Sequence, residues 1–411
     1  MEIPNIYIVG ACTLGAFWLS KALVPVLLYV SNQKKLFDDG NGFHKLHTGL
    51  VPTLGGVAIF TAFLIIFSAS SYADEIHGFG YIIAASTILF AAGLKDDLIV
   101  ISPTKKLIAQ ILATALLVFG ANLQFTNLGG VFGIDSISPW FGIPLTFFSV
   151  VVIINSHNLI DGIDGLGGGI GVLASLFFGY WFYKAGLFHW AAFSFVLTGA
   201  ILGFLWYNYP PAKIFMGDTG SLVIGCYIAV LAINFVEHSI VISDVVYWED
   251  AIPVIVAAVL VVPLYDTLRI FIVRTVNGKS PFDADNGHVH HYLLRTGFNH
   301  GQIVVFLLSL NVVILGSTII LSNYLSNTWL LVSLLVMCLL LFPTNRWKRK
   351  LLESFVSSDM WLELRGVKNE STAHKSPKKE EIYSSDFFSS EEQEKSINSH
   401  QKEQVAQPHE V

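Results

Sequence analysis

Apolar runs of about 18 residues or more recur along this chain, and each is long enough to cross a hydrocarbon core of roughly 30 Å as a helix. Water is therefore not its main solvent. Only 13% of the residues are charged, against about a quarter in a soluble globular domain, and a soluble fold around one core is excluded. Eleven runs are expected to span, at about 5–31, 50–70, 79–94, 105–120, 139–154, 166–183, 188–206, 219–236, 251–273, 302–322 and 326–343. The expected fold class is an all-α polytopic membrane protein of about eleven transmembrane helices. The first run has no basic segment ahead of it and no small-residue cleavage site, so it reads as a retained span and not a removable signal.

An odd count puts the termini on opposite sides. Taken alternately, one set of connectors receives Lys34, Lys35, Lys45, Lys95, Lys213, Lys279, Arg295 and the cluster Arg346, Lys348, Arg349 and Lys350, while the other receives only Lys184. Basic residues accumulate on the cytoplasmic side of short loops, which places the N-terminus outside and the C-terminus in the cytoplasm. Residues 344–411 hold 23 of the chain's 54 charges, so a transmembrane domain, 1–343, is expected to give way to a polar, largely disordered tail, 344–411. The stretch 346–364 reads equally as an interfacial helix, with Trp347, Leu351, Phe355 and Trp361 against lipid, or as a solvated linker. Cys12, Cys226 and Cys338 lie in apolar runs without metal or disulfide spacing and read as packing residues. The net charge of −6 says little about partners.

Acidic residues in or beside a membrane are expensive and mark function by default. Five polar clusters stand out, at 44–56, 95–106, 155–164, 213–221 and 277–291, and the alternation of spans puts all five on the cytoplasmic side. A single cytoplasmic site is the simplest account. Asp96-Asp97 follows a span directly and suits Mg²⁺ or base chemistry; the plain alternative is a solvated helix end beside Lys95, Lys105 and Lys106. Asn155, Asn158, Asp161 and Asp164 recur every three residues, a strip of amide and carboxylate oxygens fit for a hard cation and for nucleotide donors. His157, between them, reads as a packing or hydrogen-bonding residue. Asp218, in Lys213-Ile-Phe-Met-Gly-Asp-Thr-Gly-Ser221, stands just before a span, where helix N–H groups meet anions; an ordinary helix cap is the alternative. His288, His290 and His291, near Lys279 and Arg295, suit phosphate, sugar or proton chemistry better than zinc, since no cysteine accompanies them. His44, His47 and His300 carry no comparable signal.

Together these clusters resemble the polyprenyl-phosphate N-acetylhexosamine-1-phosphate transferase family, a glycosyltransferase 4 family. The matching segments are His47-Thr-Gly-Leu-Val-Pro-Thr-Leu-Gly-Gly56, Asp96-Asp97, 155–165, Phe215-Met-Gly-Asp-Thr-Gly-Ser221, and Ser280-Pro-Phe282 followed by His288-Val-His-His291. The His-x-His-His loop after Ser-Pro-Phe is similar to the WecA-like branch that uses UDP-N-acetylglucosamine. Two departures are Thr53-Leu54, where a basic residue often precedes the first Gly-Gly, and Asn286, where relatives often have Arg. The resemblance implies that an undecaprenyl phosphate attacks the sugar-bearing phosphorus of a UDP-N-acetylhexosamine, releases UMP and starts lipid-linked cell-envelope polysaccharide synthesis at the bacterial inner membrane. It implies Asp96 and Asp97 as catalytic residues, Asn158 and Asp218 as ligands of Mg²⁺, with Mn²⁺ as a substitute, and Asn155, Asp161, Asp164, His288, His290 and His291 on the nucleotide sugar. Expected partners are the two substrates, membrane lipids and a second copy of the chain in a homodimer, with no nucleic acid. The rival class is a secondary transporter, whose site would lie at the bilayer midplane and not at one set of span ends.

Overall fold

The computed structural model describes residues 5–34, 51–241, 251–278 and 288–342. The polar tail, the stretch 346–364, and His44, His47, Lys279 and Asn286 lie outside these residues. In chain order the elements are α1 (Asn5–Lys34), α2 (Gly55–Ser68), a single 3-10 turn (Ser71–Ala73), α3 (Phe79–Leu98), and α4 (Pro103–Ala115), which widens into a π-helical turn (Leu116–Gly120). A hairpin, β1 (Asn127–Val131) and β2 (Ile134–Ser136), leads to α5 (Pro139–Ile160), α6 (Leu166–Lys184), α7 (Phe188–Asn208) and α8 (Gly217–Val241). Then follow α9 (Ile252–Val259), α10 (Val261–Val276), α11 (Val289–Arg295), α12 (His300–Ser322) and α13 (Asn327–Leu341). Among the described residues eight helices are long and apolar enough to cross a membrane; α2 and α13 are apolar but shorter. The protein is a mostly helical, multi-pass membrane protein.

α8 is the centre of the bundle: every residue in 219–233 is buried. A helix apolar on all sides is stable only when enclosed, and α2, α3, α5 and α6 enclose it. The approach depends on glycine, as is usual between membrane helices. A Cβ on Gly56 of α2 would strike the backbone of Gly220, one on Gly93 of α3 would stand 2.6 Å from the Asp218 carbonyl, and one on Gly225 would stand 2.8 Å from Ile154 Cα of α5. These contacts also give directions. α2 runs parallel to α8, with Gly56 at Gly220 and Phe63 at Tyr227. α3 and α5 run antiparallel to it, with Gly93 at Thr219 but Ser86 at Tyr227, and Asn158 at Ser221 but Ile154 at Gly225. The ends of α3 and α5 and the starts of α2 and α8 therefore share one end of the bundle. On the flank, Gly199 and Gly203 of α7 admit the α1 backbone at Thr13 and Phe17, so those two helices run parallel.

Two features depart from the expectation of straight helices throughout. The first is the β1–β2 hairpin, whose two-residue turn uses Phe132 and Gly133 at φ 55° and 74°, the left-handed pair that fits strand twist. Glu237 at the far end of α8 accepts the Thr126 N–H at 2.8 Å, and Thr328 accepts the Phe132 N–H at 2.9 Å, so the hairpin caps the opposite end of the bundle. The second is the expected span 251–273, which is an elbow: α9 and α10 meet at 82°. Pro263 lacks the N–H that Val259 would need and its ring crowds that carbonyl, so α9 stops there. Asn311 of α12 satisfies the break, its amide donating to the Ala258 and Val259 carbonyls at 3.3 and 3.1 Å and accepting the Val262 N–H at 3.4 Å. Cys226 and Cys338 are buried, Cys12 partly so, and all three are free thiols.

Candidate active site

The first N–H groups of a helix have no partner inside it. At the start of α8 a neighbouring helix supplies one. Asp97, in the last turn of α3, accepts the Asp218 N–H at 2.7 Å with one carboxylate oxygen; with the other it accepts the Thr219 N–H at 2.9 Å and the Thr219 hydroxyl. The anion also lies at the positive end of the helix dipole. Gly217 makes the turn into α8 at φ +71°, where a Cβ would meet the Thr53 carbonyl and the Asp97 carboxylate. Backbone bonds from Gly55 to Phe215 (2.9 Å), Gly56 to Met216 (2.8 Å) and Phe215 to Pro52 (2.8 Å) lace the first glycine motif to the segment that carries Asp218.

Asp96 faces the other way. It accepts the Ile101 N–H at 2.6 Å, and its second oxygen lies 2.7 Å from the Lys106 ammonium of α4. Lys106 also donates to Asp218, so one cation joins two carboxylates. The second Asp218 oxygen accepts from the Asn158 amide at 2.8 Å, and that amide also reaches the Ser221 hydroxyl at 2.8 Å. One turn earlier on α5, Asn155 and Gln110 of α4 exchange amide hydrogen bonds at 2.7 and 3.2 Å. Asp96, Asp97, Asn158 and Asp218 thus form one network at one end of the bundle.

The turn after α5 carries the other two acids. Asp161 lies against Gly167, where any side chain would strike it. Burial, and then the negative charges of Asp218, Asp97 and Asp164, hold its carboxyl well above the ordinary value of 3.8. Asp164 is buried, accepts the Ala212 N–H at 3.2 Å and lies 3.2 Å from His300 Nδ1. Asn208 fixes the turn by accepting the Gly165 N–H at 2.9 Å and donating to the Ile214 carbonyl at 2.8 Å. His290 rests on this turn: a Cβ at Gly162 would stand 2.8 Å from its Nε2. His288 instead directs Nδ1 to Asp266 of α10 at 2.8 Å, and the ring of His291 lies 4.4 Å from that of His290. His157 of α5 is buried against α6 and α8 beside Gly171 and Gly225, with no polar partner on Nε2, which favours packing of the two roles its position allows, packing or hydrogen bonding.

Four residues of this region are not singled out by the sequence reading: Lys106, Gln110, Asp266 and His300. For the first three a signal existed. Lys106, Gln110 and Thr114 stand four apart, a polar stripe on an otherwise apolar helix that faces α5 and α8. Asp266 is a lone acid inside an apolar run, which membrane energetics alone mark as functional.

The side-chain groups near Asp218 that could ligate a cation are oxygens, those of Asp96, Asp97, Asn158 and Ser221, and five acids share the region with Lys106. That chemistry fits a hard divalent cation and not zinc. Among the described residues no three His, Cys, Asp or Glu side chains close on one point as a metal site. A cation held by Asp218 and the amide oxygen of Asn158 would complete its shell from water and substrate phosphates, as Mg²⁺ commonly does.

The model of the family described as "Glycosyl transferase family 4" matches residues 79–236, the stretch that holds Asp96, Asp97, Lys106, 155–164 and Asp218. The chain is 32% identical over 284 residues to a probable undecaprenyl-phosphate N-acetylglucosaminyl 1-phosphate transferase of Bacillus subtilis (strain 168), covering 67% of this chain and 76% of that one. It is 31% identical over 299 residues to the undecaprenyl-phosphate alpha-N-acetylglucosaminyl 1-phosphate transferase of Salmonella typhi, covering 70% and 76%. Its likeness to the protein of the same name from Escherichia coli O157:H7 is 28% over 345 residues, covering 82% and 91%. With the motifs, their convergence and these similarities in agreement, the chain belongs to glycosyl transferase family 4, with undecaprenyl-phosphate N-acetylglucosaminyl 1-phosphate transferases as its relatives.

Proposed function

We propose that this enzyme transfers N-acetylglucosamine-1-phosphate from its UDP derivative to undecaprenyl phosphate, releasing UMP and supplying the first lipid-linked sugar of a cell-envelope polysaccharide. The observation that carries the reading is the meeting of Asp96, Lys106, Asn158 and Asp218 at one end of the bundle, inside the segment matched by the family, in a chain whose relatives are named for this transfer. An oxygen of the lipid phosphate forms the new bond to the sugar-bearing phosphorus, the bond to the bridging oxygen breaks, and UMP leaves with that electron pair. Direct displacement needs no covalent enzyme intermediate.

Two polyanions must approach each other, so positioning and charge neutralisation are the main catalytic work. Lys106 offers one positive charge at the junction of Asp96 and Asp218. Mg²⁺ on Asn158 and Asp218 would supply the rest, by offsetting phosphate charge. Asp96 would orient or deprotonate the lipid phosphate, the role the sequence offers Asp97 as well; the hydrogen bonds of Asp97 to the start of α8 favour the reading that it holds Asp218 in position. Asn155, Asp161, Asp164 and the histidines would meet the uridine diphosphate and sugar.

All eleven apolar segments would cross the membrane, with the elbow counted once and the site facing the cytoplasm of a bacterial inner membrane. The parallel pairs α1/α7 and α2/α8 and the antiparallel pairs α3/α8 and α5/α8 support that alternation, and the basic connectors support the side. A transporter is disfavoured because the polar network gathers at one end of the bundle. The test is UMP release from UDP-sugar and polyprenyl phosphate by purified protein. Asp218→Ala should abolish it with membrane insertion intact, and near-normal turnover would remove Asp218 from the metal site.

A further inference from the structure

We infer that Asp266 is a positioning residue for the transfer reaction, acting through His288; this rests on the reading that the histidine loop meets the nucleotide sugar. Asp266 is 1% exposed, and both of its oxygens are engaged by the histidine segment: one lies 2.8 Å from His288 Nδ1, and the other accepts the Val289 N–H at 2.9 Å. An ionised carboxylate accepts only, so the hydrogen of a neutral His288 sits on Nδ1 and Nε2 becomes the atom turned away from Asp266. The ring's tautomer and its direction are thereby set together. The setting extends to the next histidine, because the His288 and His290 rings lie parallel, 2° apart in tilt with centroids 5.4 Å apart, and His290 rests on Gly162 between Asp161 and Asp164.

The fold places Asp266 for this. Without the break at Leu260, α10 would continue the line of α9; the 82° elbow swings it aside and carries Asp266 to the start of α11. A carboxylate buried at this depth is costly unless its acceptors are filled. The His288 ring and the Val289 amide fill them. An apolar residue would hold the elbow without that cost, so the role of the acid lies in the imidazole that it orients.

The experiment uses the full-length protein in nanodiscs, with kcat and KM for UDP-N-acetylglucosamine measured across pH by UMP release. Asp266→Asn keeps size but leaves one acceptor for two donors. Its kcat should fall about 10- to 100-fold, the range seen when the hydrogen-bond partners of metal-bound histidines are removed, with KM changing less than about threefold and the pH profile altered. His288→Asn supplies a donor close to the place of Nδ1 and lacks Nε2. It should keep the thermal stability of the parent yet lose activity, and the double variant should be no worse than His288→Asn alone. Activity restored in His288→Asn would make the Asp266 bond merely structural and overturn the proposal. Additive losses in the double variant would overturn it too, by making the two residues independent. Full activity in every His288 variant, His288→Ala included, would instead remove the histidine from the reaction and bring down the reading beneath. Should Asp266→Asn not fold, the stability and turnover of His288→Asn and His288→Ala still decide between orientation and scaffolding.

Discussion

Replacing Asp97 by Asn tests whether one helix holds the catalytic end of another. The aspartate accepts three hydrogen bonds from the start of α8, two from backbone N–H groups and one from the Thr219 hydroxyl. Asparagine has a single acceptor oxygen, so in either orientation its NH₂ group confronts a donor. Hydrogen bonds to a charged group contribute about 1.5–3 kcal/mol each, and a buried donor left unpaired costs about 1–3 kcal/mol. Losing one or two of the three bonds should therefore cost about 3 kcal/mol, relieved by displacement of residues 217–219 and with them Asp218. At about 1.4 kcal/mol per tenfold, turnover should fall on the order of 100-fold. UMP release is the assay, with Thr219→Val as companion: it removes one donor at constant shape and should lower turnover about tenfold, adding little in the Asp97→Asn background. If Asp97 instead acted on the substrate directly, Thr219→Val would be silent while Asp97→Asn remained inactive. That pattern, or Asp97→Asn turnover within threefold of wild type, refutes the positioning account.

Asp161→Asn should flatten the pH dependence of stability. A carboxyl whose folded value is raised loses folding stability as pH climbs from the ordinary 3.8 towards that raised value, so melting scans should show wild type weakening with alkalinisation in that window more steeply than the variant. Gly56→Val should lower both the melting temperature and UMP release, because its side chain would enter the backbone of Thr219 and Gly220 beside Asp218 and overpacking costs about 1–3 kcal/mol. Chelation of divalent cations should abolish UMP release and added Mg²⁺ should restore it; full turnover in chelator would remove the metal from the proposal.

The gathering of polar clusters at one end was legible because apolar run length and parity are properties of the hydropathy pattern along the chain. On that ground Asp96, Asp97, Asn158 and Asp218 belong to one site, and hydrogen bonds join Asp97 and Asn158 to Asp218 while Lys106 bridges Asp96 to it. Their division of labour was not legible. Adjacent aspartates at the end of a helix point in directions about 100° apart, so Asp97 meets α8 while Asp96 meets Lys106, and a dipeptide carries no record of which neighbour stands on which side. Lys106 was lost among ordinary helix-end cations, since its two acceptors lie 10 and 112 residues away in sequence. The elbow was hidden because a run of apolar residues looks the same straight or bent; Pro263 alone suggests a break, and only Asn311, on another helix, makes one tolerable.

That asparagine has a mechanical consequence. In hydrocarbon a bare carbonyl costs several kcal/mol, so opening or closing the angle between α9 and α10 would strip Asn311 of its partners and leave Ala258 and Val259 exposed to that penalty. The elbow is thus splinted and not a swivel. A rearrangement that brings His288 onto a bound sugar nucleotide would carry α9, α10 and α12 together as one arm, and a mutation that frees α12 should loosen the reach of the imidazole.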